Sequence, residues 1–218
     1  STDYRRAVAL DGFVKRRWRP EVADWDEFFL RLAPRFRFND RLSVDYVWSW
    51  QVRHNERGWV DVVDDLPTGP VSLFGRRENT SNTQVLNASY IFTPTASLSA
   101  RIRHYWSIVD YEEFYALNAD GLLGDGQTFN ERYLNVEEGT SSQDVNYNAW
   151  SVDLVYRWIF SPGSELSIVW KNTLSDRGQA LPNGYWDNWQ DMMNQGFTNS
   201  LSFRALYFLD YSLIANRR

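Results

Sequence analysis

Residues 28–38 read FFLRLAPRFRF and residues 42–53 read LSVDYVWSWQVR, and apolar and polar side chains alternate in both segments. In the first segment the even positions are apolar, while three of the odd positions are Arg31, Arg35 and Arg37. A period of two is typical of a β-strand that has one apolar face. The polar residues 39–41 between the segments therefore predict an antiparallel hairpin with a short turn.

The same alternation recurs along the rest of the chain. Residues 86–93 and 98–108 flank a turn at residues 94–95, and residues 150–160 and 166–171 flank a turn at residues 161–164. Two further strands are predicted at residues 7–18 and 201–212, which gives eight strands. The segments 55–83, 109–148 and 175–199 are polar and rich in Gly and Asn, and we expect them to be long loops. Short turns and long loops then alternate, so they lie at opposite ends of the strands.

The composition excludes several classes of protein. The chain has no Cys and only two His, which excludes a disulfide framework, a thiolate zinc site and a cysteine nucleophile. Its net charge of −5 argues against a nucleic-acid partner. No cofactor is expected. The mean hydropathy of −0.52 and the lack of a long apolar run exclude a membrane-spanning helix. Strands that show only alternate residues to lipid remain compatible with this composition.

Two all-β folds fit the alternation. The first is an antiparallel up-and-down transmembrane β-barrel of about eight strands, or the C-terminal part of a larger barrel, formed by residues 1–218 as one domain of a longer precursor. The second is a soluble antiparallel sandwich. Strand lengths of about 10 to 13 residues, aromatic residues near the strand ends and the asymmetry of the connections favour the barrel.

The barrel interpretation assigns the two faces of the strands. The polar positions would face the lumen, where they would form ion pairs or attract anions. They are Arg31, Arg35, Arg37, Asp45, Arg53, Arg101, Arg103, Asp153, Arg157, Lys171 and Asp210. The apolar positions would face lipid, and their largest members are Phe36, Trp48, Trp50, Trp106, Trp150, Trp158 and Trp170.

Aromatic residues in the expected loops are candidates for ligand binding. They are Tyr111, Tyr115, Tyr185, Trp186 and Trp189, which stand beside amide and carboxylate residues. Such a mixture suits stacking on sugar rings and hydrogen bonding to hydroxyl groups, although the same rings could simply pack the loops on one another. No metal site is expected.

No enzymatic activity is expected from the sequence. His104 lies on an apolar face and His54 at a strand end, and neither has an evident Ser and acid partner. A lipid hydrolase would need such partners to be brought to one of these histidines by the fold.

Four stretches carry a family resemblance. They are residues 72–79 (SLFGRREN), residues 101–107 (RIRHYWS) with Phe114-Tyr115 and residues 118–121, residues 160–172 (FSPGSELSIVWKN), and residues 199–211 (NSLSFRALYFLDY). Together they resemble the C-terminal barrel domain of Bacteroidetes outer-membrane proteins known as carbohydrate-binding family 9-like, whose function is unknown. In that family the barrel follows an N-terminal β-sandwich, which this sequence lacks. The family offers no catalytic residues to carry over.

These observations predict an integral protein of the bacterial outer membrane. We expect it to act as an anchor, a scaffold or a channel-forming component of a transport system. Its partners would be membrane lipid and a glycan or outer-membrane protein bound by the external loops. A soluble carbohydrate-binding sandwich and an outer-membrane lipid hydrolase are the alternatives.

Overall fold

The computed structural model describes residues 1–20, 24–67, 69–124 and 126–209 of the 218-residue chain. Its long strands are β1 (Val8–Arg19), β2 (Trp25–Arg37), β3 (Leu42–Val63), β4 (Val71–Thr93), β5 (Ala96–Ala116), β8 (Val145–Ser161), β9 (Ser164–Gly178) and β10 (Thr198–Leu206). Two short strands, β6 (Leu134–Asn135) and β7 (Thr140–Ser141), pair with each other. The helices are α1 (Gln127–Tyr133) and α2 (Tyr185–Met193).

The eight long strands form one antiparallel sheet in the order β1-β2-β3-β4-β5-β8-β9-β10. Each long strand pairs with the next long strand along the chain, so the predicted all-β class, the eight antiparallel strands and their up-and-down order are confirmed. β1 and β10 are the two edges, and no pairing joins them within the described residues. We call the end with the connections 38–41, 94–95 and 162–163 the turn end, and the opposite end, with the connections 64–70, 117–144 and 179–197, the loop end.

In the described part of the chain, neither helix is long and apolar enough to cross a membrane.

The strand register divides the sheet into two faces. Residues opposite each other in a pair project to the same side, so pairing can be followed across all eight strands. One such row, the apolar row, consists of Val8, Phe36, Val44, Ala88, Ala100, Leu154, Trp170 and Leu201. The adjacent residue of every strand projects to the other side and forms the charged row of Ala9, Arg35, Asp45, Asn87, Arg101, Asp153, Lys171 and Ser200. The two sides are called the apolar face and the polar face below.

The three expected long loops are shorter than the sequence indicated, and the first of them differs most. β3, β4 and β5 run for 22, 23 and 21 residues, and most of segment 55–83 is therefore strand. The register shifts between Arg53 and Glu56, where Asn55 has a φ of 51°. A β-bulge exchanges the faces to which even and odd residues point, so the alternation of the first half of β3 does not continue into the second half.

Ion pairs replace apolar packing in the loop-end part of these strands. Arg77 Nε lies 3.0 Å from Glu56 Oε2, and Arg76 Nη1 lies 2.6 Å from Glu112 Oε2. Burial by itself would raise the pKa of Glu56, but hydrogen bonds from Asn79 and Arg77 and the nearby arginine charges hold that pKa below its ordinary value. Charged residues on both faces explain why this region resembles a loop in sequence.

A small apolar core lies at the loop end. It consists of the buried residues Val63, Leu73, Tyr111, Phe114 and Phe129, the last of which belongs to α1. Gly126 precedes α1 so closely against β5 that an added Cβ would lie 1.5 Å from the carbonyl oxygen of Phe114. Only glycine fits there, and its small size lets α1 close over the ends of the strands.

The last predicted strand is also shorter than expected. β10 ends at Leu206, and residues 207–209 are not strand. Residues 210–212, which the sequence placed in the same strand, lie outside the described residues.

Candidate binding cleft between α2 and the sheet

α2 packs on the apolar face of the sheet near its loop end. The ring centroids of Tyr185 and Trp106 are 5.6 Å apart, and those of Trp189 and Trp150 are 5.4 Å apart. His104 is 2% exposed and lies with its ring centroid 5.2 Å from that of Trp189. The connection 179–197 is therefore folded back onto the strands and covers part of this face.

Buried amide groups hold α2 to β8. Asn188 is fully buried, and its Nδ2 donates to Asn148 Oδ1 at 2.8 Å while Asn148 Nδ2 donates to Asn188 Oδ1 at 2.8 Å. Asn146 Nδ2 also donates to Asn188 Oδ1, at 3.1 Å, and Trp106 Nε1 donates to Asn146 Oδ1. Since buried amides are costly unless they are hydrogen-bonded, this reciprocal set fixes the position of the helix.

Asn188→Ala should loosen α2 from the sheet without unfolding it. The substitution leaves the buried Nδ2 groups of Asn148 and Asn146 without their shared acceptor, Asn188 Oδ1, which costs about 2–3 kcal/mol. Amide hydrogen exchange in residues 185–193 should then be about 30- to 150-fold faster, because local opening of the helix becomes easier. Asp187→Ala, which changes the exposed neighbour on the same helix, is the matched control. Unchanged exchange in the Asn188 variant would contradict the anchoring role.

A cleft of about 400 Å³ lies between α2 and the sheet. Its lining consists of Tyr46, Gln84, Leu86, Ile102, His104, Trp150, Tyr185, Trp186 and Trp189. Its volume falls in the range of small-molecule binding sites, and its walls are mainly aliphatic and aromatic.

Four polar side chains of the cleft, Tyr46, Gln84, Tyr185 and His104, form a chain of hydrogen bonds. Tyr46 Oη donates to Gln84 Oε1 at 3.0 Å, and Gln84 Nε2 donates to Tyr185 Oη at 2.7 Å. His104 Nδ1 lies 3.1 Å from Tyr185 Oη, and its Nε2 lies 3.2 Å from Asn148 Oδ1. Burial raises the pKa of Tyr185 above its ordinary value, so this phenol remains neutral at physiological pH. The cleft thus offers carbon surface over a set of hydrogen-bonded side chains from β3, β4, β5 and α2.

Three of the five predicted loop aromatics lie together in this cleft. Tyr185 and Trp189 face the sheet, whereas Trp186 is 73% exposed. Tyr111 and Tyr115 are not loop residues, and the prediction was wrong for them because they belong to β5. Tyr111 is stacked on Phe114 in the loop-end core, and Tyr115 Oη donates to Glu113 Oε2 at 2.5 Å.

The structure assigns the predicted strand residues to the two faces. The polar face carries Arg31, Arg35, Arg37, Asp45, Arg53, Arg101, Arg103, Asp153, Arg157 and Lys171, while Asp210 lies outside the described residues. The apolar face carries Phe36, Trp48, Trp50, Trp106, Trp150, Trp158 and Trp170. Trp106 is buried, and Trp150 and Trp106 both lie against the aromatic rings of α2.

The two histidines have different surroundings. His104 is hydrogen-bonded to the phenol of Tyr185 and the amide of Asn148, and its side chain is buried. His54 Nδ1 lies 2.8 Å from Asp26 Oδ1, and its Nε2 lies 3.5 Å from Glu78 Oε2. Both ring nitrogens of His54 thus face carboxylate oxygens. In the described residues, no group of three or more His, Asp or Glu side chains could hold a metal ion.

The sequence did not reveal the amide groups in and beside the cleft. Gln84, Asn146, Asn148 and Asn188 were not among the candidates, although their pattern carried a signal. Gln84 lies on the apolar face of β4, where the next residues on the same side are Leu86 and Ala88. Amides that interrupt an apolar face need a partner, so such an interruption indicates that another element covers the sheet there.

No curated protein and no solved structure matches the chain. The family model for a domain of unknown function, DUF5916, matches residues 1–218. Since this match spans the chain from its first to its last residue, the protein is a member of the DUF5916 family.

Proposed function

We propose that the sheet is the wall, or part of the wall, of an outer-membrane β-barrel that serves as an anchor and scaffold. The observation that supports this proposal most directly is that the apolar row crosses all eight strands and lies next to the charged row. Lipid on one side and a polar lumen on the other require this arrangement. The membrane-spanning segments would be residues 8–16, 28–37, 42–52, 82–92, 96–106, 150–160, 164–174 and 198–206.

The exposure of the apolar face outside α2 supports this proposal. Val14 is 63% exposed, Leu201 is 58% exposed and Phe203 is 67% exposed. These residues belong to the edge strands and project to the same side as the apolar row. Large uncovered apolar surfaces are characteristic of membrane or protein contact sites, whereas a soluble sandwich covers its apolar face with a second sheet.

Aromatic rings border the apolar face at two levels. At the turn end, Tyr90 and Phe92 lie 4.8 Å apart, Phe92 and Tyr156 lie 6.3 Å apart, and Trp158 contacts Phe160. Toward the loop end, rings from β3, β5, β8 and α2 form the second level. Phe160 and Trp150 are ten residues apart on β8. This separation is about 34 Å along a strand and about 26 Å in height at a tilt of about 40°, close to the apolar band of outer-membrane barrels.

Ion pairs on the polar face support the proposal that this face lines the barrel interior. Arg35 Nε lies 2.5 Å from Asp45 Oδ1, and Lys171 Nζ lies 3.4 Å from Asp153 Oδ1. In a bilayer the edges of β1 and β10 also need hydrogen-bond partners, so the proposal requires these strands to pair with each other or with further strands. A barrel closed by these eight strands would have space inside for side chains only, whereas a barrel with more strands would enclose an open lumen.

The loop end would present the binding surface of the scaffold. Trp186 is the cleft aromatic that keeps most of its ring exposed, and Asp187 and Gln190 beside it are also exposed. An exposed ring with polar neighbours suits a glycan or an outer-membrane protein as partner.

Membrane fractionation combined with gel migration tests the proposal. The full-length gene product is expressed, membranes are separated, and boiled and unboiled samples are compared in detergent gels. Retention in the outer membrane with a faster-migrating unboiled band is the expected result, because closed barrels resist unfolding in detergent. A product that dissolves without detergent and shows no heat-dependent shift would overturn the proposal and favour the carbohydrate-binding sandwich.

A further inference from the structure

The cleft between α2 and the sheet has a floor that continues the apolar face. Leu86 and Ile102 are opposite each other on β4 and β5, and the next row toward the turn end is the pair Ala88 and Ala100. Leu98 and Tyr90 follow in the next row. The two alanines leave a shallow track that runs from the cleft along the proposed lipid-facing surface, between the larger side chains of Val44 and Leu154.

The chemistry of the cleft lining favours a hydrocarbon ligand. The hydroxyl groups of Tyr46 and Tyr185 and the amide of Gln84 already bond to one another, and Trp150 Nε1 donates to Asn172 Oδ1 at 3.0 Å. A sugar or peptide that bonded to these hydroxyl and amide groups would break the bonds between them and leave buried polar groups unpaired. An alkyl chain requires no such exchange and gains contact with the indole and aliphatic surfaces.

We propose that this cleft binds one acyl chain of a membrane lipid at the loop-end border of the apolar face. The inference rests on the proposed membrane location, since that location puts lipid chains beside the alanine track. α2 would act as a clamp over the chain, with Trp186 and Trp189 above it and Leu86 and Ile102 below it. The exposed polar residues of α2 would then lie level with the lipid headgroups.

Photochemical labelling from the bilayer tests this proposal. The full-length protein is placed in phosphatidylcholine vesicles that contain a small fraction of phosphatidylcholine with a diazirine on its acyl chain, and labelled residues are mapped by mass spectrometry. We expect labelling concentrated on Leu86, Ile102 and Trp189. Ile102→Trp fills the cleft and should lower the labelling of Trp189 on the order of tenfold. Leu201→Trp, on the same face but on the edge strand β10 and away from the alanine track, is the matched control and should leave the labelling of Trp189 unchanged.

The outcomes separate this inference from the proposed function. Gel migration of the same samples reports barrel formation, and Leu86→Trp serves as a second cleft-filling variant if Ile102→Trp does not fold. A heat-shifted band with labelling spread evenly over the apolar face, or labelling of Trp189 that persists in both filled variants, would overturn the acyl-chain site alone. A missing heat-shifted band with no labelling of the apolar face would overturn the membrane proposal, and the acyl-chain site with it.

Discussion

Leu154→Arg is expected to keep most of the protein out of the bilayer. Leu154 belongs to the apolar row and lies between Ala100 and Trp170, near the middle of the proposed spanning segment of β8. An arginine on the lipid face near the midplane of the bilayer costs about 2–4 kcal/mol. That cost corresponds to a loss of about 30- to 900-fold in the equilibrium between inserted and non-inserted protein. Reversible folding into lipid vesicles, followed by tryptophan fluorescence, measures the effect.

Val155→Arg is the matched control for this prediction. Val155 is the next residue of the same strand and projects to the polar face, opposite Ser99 and Val169. An arginine there would face the lumen, so its effect on insertion should be small. Trp48→Arg, on the apolar face of β3, should reproduce the defect of Leu154→Arg to a degree set by its depth. Equal behaviour of the Leu154 and Val155 variants would refute the assignment of the two faces.

Glu27→Gln should destabilise the polar face near the loop end. The carboxylate of Glu27 is fully buried and pairs with Lys15 and Arg17, while Arg53 Nε lies 3.8 Å away. Removing the negative charge leaves three cations without their shared partner. Breaking a fully buried pair costs about 3–5 kcal/mol, and because these cations reach solvent, we expect about 2 kcal/mol, or roughly 4–8 °C in Tm.

Thermal unfolding in detergent, followed by circular dichroism, measures this loss. Asp45→Asn is the matched control, because Asp45 forms a partly exposed ion pair with Arg35. Its effect should lie below about 1 kcal/mol, as is usual for exposed pairs. If the two variants melt at the same temperature, Glu27 is not the centre of an ionic cluster.

The same carboxylate predicts a dependence of stability on pH. Burial by itself would raise the pKa of Glu27, but hydrogen bonds from Lys15 and Arg17 lower it from 4.5 to about 2. Because the folded pKa lies below the unfolded one, the stabilisation is complete above pH 4.5 and is lost as the pH falls from 4.5 through about 2. Between these limits the Tm of the native chain should fall more steeply than that of Glu27→Gln. Parallel curves would show that another group controls acid unfolding.

The turn-end half of the sheet was predictable because local chemistry specifies it. In residues 28–53, apolar and polar side chains alternate on both sides of a polar turn, which predicts a hairpin. The structure pairs Phe36 with Val44, as that alternation requires. The turn at residues 161–164 carries Gly163 with a φ of 75°, a conformation that glycine adopts at no steric cost. In both hairpins, neighbouring residues alone contain the information.

The loop-end half was not predictable from alternation. Beyond Asn55 the bulge exchanges the two faces, and the strands continue through pairs such as Arg77 with Glu56 instead of apolar contacts. The position of α2 depends on Asn188 meeting Asn148, which lies 40 residues earlier in the chain. No local pattern encodes a contact at that separation.

The all-β class, the eight antiparallel strands and the face to which each residue of the turn-end half projects follow from the sequence alone, because a period of two is a local property of the strand. Contacts between distant segments determine how far the strands extend, where α2 lies, and which aromatic residues meet in the cleft. These features depend on pairing between distant segments, and their free energy comes from buried amides and ion pairs whose partners cannot be identified before the chain is folded.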